Sequence, residues 1–504
     1  VTATGVTPPE IRTASGLVRG TVSGDGVLAV RGIPYAAPPA GERRFQPPVP
    51  PASWTGVRDA TAFGPTALKA DYPPPFDALL PEVGIPGDDC LNLNVWTPGT
   101  DGGAPVLVWL HGGAFANGSG SAPCYDGTAF ARDGAVLVTL NYRLGADGFA
   151  YFGDPGTVPN LGLLDQVMAL RWVRDNIAAF GGDPDRITVF GQSAGAMSIG
   201  ALLAMPDAAG LFRRAVLQSG AAHHSITRAT ASLISRRLAA LLGVDPSPAA
   251  FAGVPPEKLL AAQQQLRTEI SLDPDPARWG EVAFNLMPFE PVIDGTVLPR
   301  DPYRAATEDQ APGIELLIGT NTDEFRLFTV PTGIFAAVTD QVVRATAARY
   351  ELDPDAALAV YRDGRPDAAP GELHARLVTD WFYRIPALRL AEAHGRQHPG
   401  TAYVYEFAWQ PPTFGGLLGA CHAAELPFVF GTLDTCTALL GEAPPAELSA
   451  AMRSAWIAFA ATGSPGWPAY EPGARITMRY DTTPAIVTDP LPRERELWQT
   501  ARPA

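Results

Sequence analysis

Three runs of consecutive apolar residues stand out along the chain: VLVWL at 106–110, AVLVTL at 135–140 and ITVF at 187–190. Each runs directly into turn residues, HGG, NYRLG and GQSAG respectively. Unbroken apolar runs of this length predict strands covered on both faces, as in a parallel sheet. RAVLQSG (214–220), ELLIGT (315–320) and AYVYEF (402–407) predict further strands. Between the second and third runs, Leu163, Val167, Leu170, Val173 and Ile177 recur at spacings of four and three within 161–180. That period predicts one apolar helical face. Strand–helix–strand alternation implies a layered α/β fold with a mostly parallel sheet. The segments at 228–290 and 335–400, rich in Ala, Leu and Arg, read as helical insertions. Proline clusters at 34–51 and 73–75 read as coil wrapping a surface. With no internal repeat and no low-complexity linker, residues 1–504 are read as one domain.

Composition narrows the function. The chain is 46% hydrophobic and 18% charged, enough for a large core. A net charge of −15 argues against nucleic acid and anionic membranes, because a phosphate-binding face needs a basic patch. Lys69 and Lys258 are the only lysines, so arginine carries the positive charge. No apolar run approaches the roughly 18–20 residues of a spanning helix. The sequence opens at Val1 in the small polar stretch VTATGVTPPE, which is read as favouring a secreted over a cytoplasmic protein. Cys90, Cys124, Cys421 and Cys436 permit two disulfides but are too few to frame a chain of this length.

Candidate chemistry centres on VFGQSAGAMSIG at 189–200. Ser193 lies between Gly191 and Gly195, after a predicted strand and before a stretch of helix-forming composition. This is the setting of a nucleophile elbow, in which glycines two residues away permit a strained turn that exposes Oγ. A serine hydroxyl also needs an imidazole to take its proton. His111 lies on a glycine turn and suits an oxyanion loop. His223 and His224 follow a strand and are placed in a pocket wall. His394 and His398 have i,i+4 spacing but lack the neighbouring glutamate and third ligand of a metal site, so no metal is assigned. His374 is read as structural. His422, in GACHAAELPFVFG, follows all the predicted strands, where the histidine of such hydrolases belongs. The orienting acid is then Asp323 or Glu324 in GTNTDEF, and strand geometry alone does not choose between them.

HGGAF (111–115), FGGDPDRITVFGQSAG (180–195), GTNTDEF (319–325) and HAAELPFVFG (422–431) together resemble the type-B carboxylesterase family, which also holds cholinesterases and bacterial p-nitrobenzyl esterases. The similarity runs from VRGIPYA (30–36) to MRSAWIAFAATGSP (452–465). It implies an α/β-hydrolase fold with helices on both faces of the sheet. It implies Ser193 as nucleophile, Glu324 as acid and His422 as base. The oxyanion hole falls on the N–H groups of Gly113, Ala114 and Ala194, with Gly112 shaping the turn, and a structural ion pair on Arg143 and Asp165. Ala114 stands where many members carry a third glycine, Gln192 where most carry Glu, and Phe325 where glycine is common. Cys90 matches half of a family disulfide whose other position is Ala67 here, which puts that bridge in doubt. Cys421 is read as a free thiol or a partner of Cys436. No tryptophan lies between Ala67 and Cys90, where cholinesterases place their choline-binding ring, so choline esters are not expected.

The resulting expectation is a serine carboxylesterase acting on short-to-medium acyl or aryl esters. Its partners are an ester substrate and water, it needs no metal or organic cofactor, and it is a monomer or weak homo-oligomer. Pocket walls are assigned to Phe115, Gln192, Ala221, Ala222, His223, His224, Phe325 and Phe328. The alternatives are a specialised hydrolase of polyester fragments, mycotoxin esters or lactones, and a non-catalytic adhesion or scaffold protein on the same fold.

Overall fold

The computed structural model describes residues 8–308, 313–499 and 501. An 11-stranded sheet forms its centre. From Ile476–Tyr480 through Ala402–Phe407, Glu315–Asn321, Arg214–Gln218, Gly182–Gln192 and Ala104–Leu110 to Val136–Leu140, every neighbouring pair is parallel. Antiparallel strands close both edges. Ala485–Thr488 lies outside Ile476–Tyr480, and Asn92–Thr97, Leu28–Pro34 and Thr21–Val22 follow beyond Val136–Leu140.

The strand residues divide between two cores according to the pleat. Val106, Val108 and Leu110 pack into one apolar cluster, while Leu107 and Trp109 pack into the other. Val136, Val138 and Leu140 face the first, and Leu137 faces the second. A run without alternation is therefore required here, since both faces exclude water. Each fully buried Val or Leu contributes about 1.5–3 kcal/mol. The first core takes apolar residues of helices Leu161–Asn176, Ala194–Leu203 and Arg228–Leu242. The second takes those of Thr128–Arg132, Leu426–Phe430 and Ala446–Thr462.

Within 228–290 and 335–400 the chain is largely helical, including Pro256–Leu272, Asp340–Arg349, Pro370–Thr379 and Ile385–Gln397. The helix predicted over 161–180 ends in a 3-10 turn, Ile177–Phe180, closed by left-handed Gly181. Among the described residues no helix is long and apolar enough to cross a membrane. At the carboxyl ends of the parallel strands the chain leaves the sheet at His111, Asn141, Ser193, Ser219 and Thr322, and there it builds a cavity. The carboxyl edge is where open α/β sheets place their sites.

Candidate active site

Strand Gly182–Gln192 ends one residue before Ser193, and helix Ala194–Leu203 begins one residue after it. Ser193 itself adopts φ 55°, ψ −127°, a strained conformation for a non-glycine residue. Its N–H donates to the Gln218 carbonyl at 2.9 Å, which fixes the turn to the neighbouring strand. Gly195 has no alternative here, since a Cβ on it would lie 1.9 Å from the Leu110 carbonyl oxygen. The turn is thus wedged against the carboxyl end of the adjacent strand.

Facing it is the loop after Leu110. Gly113, Ala114 and Phe115 all have positive φ, at 118°, 52° and 58°. The Gly113 carbonyl accepts from the N–H groups of Ala116 and Asn117, and a Cβ on Gly113 would meet the Asn117 carbonyl oxygen at 2.2 Å. Ala114 holds a conformation that costs an L-residue about 1–2 kcal/mol. Among the described residues, the N–H groups of Gly113, Ala114 and Ala194 donate to no protein acceptor. His111 stacks on Tyr142 with ring centroids 4.4 Å apart, and burial pulls its pKa down to about 3. It therefore stays neutral, and its Nδ1 pairs with the Gly112 carbonyl at 2.8 Å.

The imidazole of His422 and the carboxylate of Glu324 meet at 2.6 Å, Nδ1 to Oε2, and Glu324 is fully buried. The other Glu324 oxygen accepts the Asn321 N–H at 2.8 Å. Asp323 turns away. It accepts from the Ala420 N–H at 3.2 Å and pairs with Arg326 at 3.1 Å. Rings of Tyr383 and Phe328 flank the imidazole, with centroids at 4.9 and 5.5 Å. Ser193 and His422 line the same cavity of about 410 Å³. No hydrogen bond joins the Ser193 hydroxyl to His422 among the described residues. Instead the Gln192 amide nitrogen stands 3.1 Å from His422 Nε2. With Nδ1–H given to Glu324, the Nε2 lone pair accepts that amide proton.

Behind the pair lies a second buried carboxyl, Glu425, held by Asn321 at 2.7 Å and Gln218 at 3.2 Å. Burial and the nearby Glu324 raise its pKa to about 7. Arg143 and Asp165 form a bidentate pair at 2.8 and 2.7 Å, both buried, beneath the loop at Tyr142. Burial works against the Arg143 charge, but Asp165 outweighs it and holds its pKa above the ordinary value. The four cysteines are thiols. Burial pushes the Cys90 thiol up to about 12, and Cys436 is hydrogen-bonded to Cys124 rather than to Cys421.

Of the residues assigned to pocket walls, Gln192, Phe325 and Phe328 line the cavity. Phe115, Ala221, Ala222, His223 and His224 do not. Phe115 is fully buried and packs edge-on against Phe149 at 5.0 Å. Ala221 and Ala222 lie under helix Ala194–Leu203, so close that a Cβ on Gly200 would come within 2.8 Å of the Ala222 Cα. His223 packs against Tyr303 with ring centroids 4.4 Å apart and the rings tilted by 33°, and burial lowers its pKa to about 3. His224 is buried and pairs with the Phe382 carbonyl at 3.2 Å. The walls that sequence reasoning missed include Tyr72, Phe76, Arg267, Phe382 and Tyr383. The last two stand on a π-helical turn, Asp380–Arg384, and such turns are frequent at functional sites.

A parallel sheet whose carboxyl edge carries a serine on a strained strand–helix turn, near a buried histidine–glutamate pair, belongs to an α/β-hydrolase. A model described as the carboxylesterase family matches residues 7–491, and the chain belongs to that family. A para-nitrobenzyl esterase of Bacillus subtilis is 41% identical, over 96% of this chain and 97% of the relative. A phenmedipham hydrolase of Pseudarthrobacter oxydans is 38% identical, over 92% and 93%. Among solved structures, a carboxylesterase of Geobacillus stearothermophilus matches with a TM-score of 0.84 and 38% identity, over 97% of this chain and 100% of the other. The protein is a carboxylic ester hydrolase.

Proposed function

We propose that this chain hydrolyses short-to-medium acyl or aryl esters in two steps, within one domain, through an acyl-enzyme on Ser193. Ser193 Oγ attacks the ester carbonyl while His422 Nε2 takes its proton. The oxyanion forms against the N–H groups of Gly113, Ala114 and Ala194, each such donor being worth about 3 kcal/mol. His422 returns the proton to the departing alcohol. It then takes a proton from water as the water attacks the acyl-enzyme, and passes that proton to Ser193 Oγ as the acid is released. Glu324 keeps the proton on Nδ1 and stabilises the imidazolium.

The observation that carries this reading is the 2.6 Å contact of buried Glu324 with His422, whose ring lines a cavity that Ser193 also lines. Catalysis requires the imidazole to leave the Gln192 amide for the serine hydroxyl. Catalytic hydrogen bonds commonly tighten only when substrate is bound. A cavity of about 410 Å³ suits small esters. Replacing Ser193→Ala is expected to abolish p-nitrophenyl butyrate hydrolysis while circular dichroism stays unchanged. Turnover by that variant at the wild-type rate refutes the mechanism.

A further inference from the structure

Among the described residues, one charged wall residue of the cavity has no counter-ion. Arg267 projects from helix Pro256–Leu272, whose buried residues include Leu259, Leu266 and Ile270. Its Nη1 donates to Asn117 Oδ1 at 3.3 Å. The Asn117 amide is fixed for that role, because its Nδ2 donates to the Ala70 carbonyl at 2.7 Å. Asn117 also donates its N–H to the Gly113 carbonyl at 2.8 Å, so the guanidinium is one residue removed from the loop proposed to hold the oxyanion.

A guanidinium has five N–H donors, and a structural tie to Asn117 uses one. Among the described residues no carboxylate lies within 4.0 Å of Arg267. Glu82, the acidic residue of the same wall, is already engaged. Its Oε1 accepts the Gly118 N–H at 2.8 Å, and its Oε2 stands 3.8 Å from Lys69 Nζ. Burial also lowers the Arg267 pKa, and the nearby Tyr72 offsets only part of that cost. The rest of this end of the cavity is largely apolar or aromatic, with Tyr72, Phe76 and Leu286. A lone planar cation with spare donors in such surroundings is suited to a carboxylate, which it engages bidentately.

We propose that Arg267 is a specificity residue that binds a carboxylate on the substrate, so that the preferred esters carry a free acid group, as half-esters of dicarboxylic acids do. This rests on the ester hydrolysis proposed above and names its substrate class. The enzyme gains affinity and orientation from a group remote from the scissile bond, while the chemistry at Ser193 is the same.

The test uses p-nitrophenyl half-esters of four- to eight-carbon diacids, each beside the matched ester whose free acid is a carboxamide. A second pair places the group on the alcohol side, as 4-carboxyphenyl and 4-carbamoylphenyl butyrate. For at least one pair, wild-type kcat/KM is expected to favour the carboxylate by about tenfold or more. Arg267→Gln is expected to lower that preference at least tenfold, and Arg267→Lys to restore part of it. A merely structural role would depress both members of each pair equally. A wild-type enzyme that prefers the carboxamide in every pair overturns the proposal without any variant, as does a preference that Arg267→Gln leaves within twofold. If neither these esters nor p-nitrophenyl butyrate is turned over, the ester-hydrolysis reading itself fails.

Discussion

Glu324→Gln tests the assignment of the acid with almost no change in volume. The native carboxylate makes two contacts, accepting from His422 Nδ1 at 2.6 Å and from the Asn321 N–H at 2.8 Å. Glutamine has one oxygen for these two donors. If that oxygen stays with Asn321, the amide N–H₂ faces Nδ1, and the imidazole must carry its proton on Nε2. The base then points a proton, rather than a lone pair, toward the serine. If the amide flips, the tautomer is correct but N–H meets N–H at Asn321, leaving a buried donor unpaired at a cost of about 1–3 kcal/mol. The wrong tautomer therefore dominates. The imidazolium formed on attack has also lost the buried counter-charge beside it. Together these raise the barrier by about 4–5.5 kcal/mol, a loss of roughly 10³–10⁴ in kcat/KM. The assay is p-nitrophenolate release from p-nitrophenyl butyrate, with near-ultraviolet circular dichroism to check the fold. Asp323→Asn is the matched control. Its contacts run to Arg326 and Ala420, so kcat/KM is expected within about threefold of wild type. Glu324→Gln retaining more than about a tenth of wild-type kcat/KM would refute the reasoning, as would an Asp323→Asn variant that is the more damaged of the two.

Two further expectations concern stability. Arg143→Met leaves Asp165 buried without its partner, so unfolding free energy by equilibrium urea titration should fall by about 3–5 kcal/mol; a loss below about 1 kcal/mol contradicts the account. Glu425, at about 7 in the folded protein against 4.5 for a free side chain, binds a proton more tightly when folded. Its contribution is therefore present below about pH 4.5 and lost as pH rises through about 7, on the order of 3 kcal/mol. Glu425→Gln should flatten the urea midpoint between pH 5 and 8, whereas wild-type and variant profiles of equal slope would show that this carboxyl does not govern it.

The central strands are legible in sequence because a strand buried on both faces leaves an unbroken apolar run. Asn92–Thr97 escapes that signal although every residue in it is buried. Its asparagines interrupt the run, and each is satisfied by contacts invisible to periodicity: Asn92 to the Pro65 carbonyl at 2.8 Å, Asn94 to Thr139 at 3.0 Å. The serine turn, the HGG loop and the segment around His422 are recognisable because their backbones demand particular residues. The choice of Glu324 over Asp323 came from the family resemblance, since the two carboxylates differ only in which way a tight turn aims them. The walls are less legible. His223 and His224 follow a strand that ends at the site, yet their rings fold down onto Tyr303 and Phe382. Arg267 comes from a helix whose pattern reports the buried residues but not what cavity the rest of it meets, and Phe382 and Tyr383 are themselves buried, so pattern alone reads them as core.

The glycine turn pressed against Leu110 separates two rates of change in this molecule. Ser193 is seated against the end of the sheet itself, where even a methyl group two positions on has no room, so drift there is forbidden. Arg267, Phe382 and Tyr383 around it hang instead from helices inserted between the strands, which can change without disturbing that seat. New diets for such an enzyme should therefore arise by rebuilding the surroundings, leaving the reacting atoms where they are.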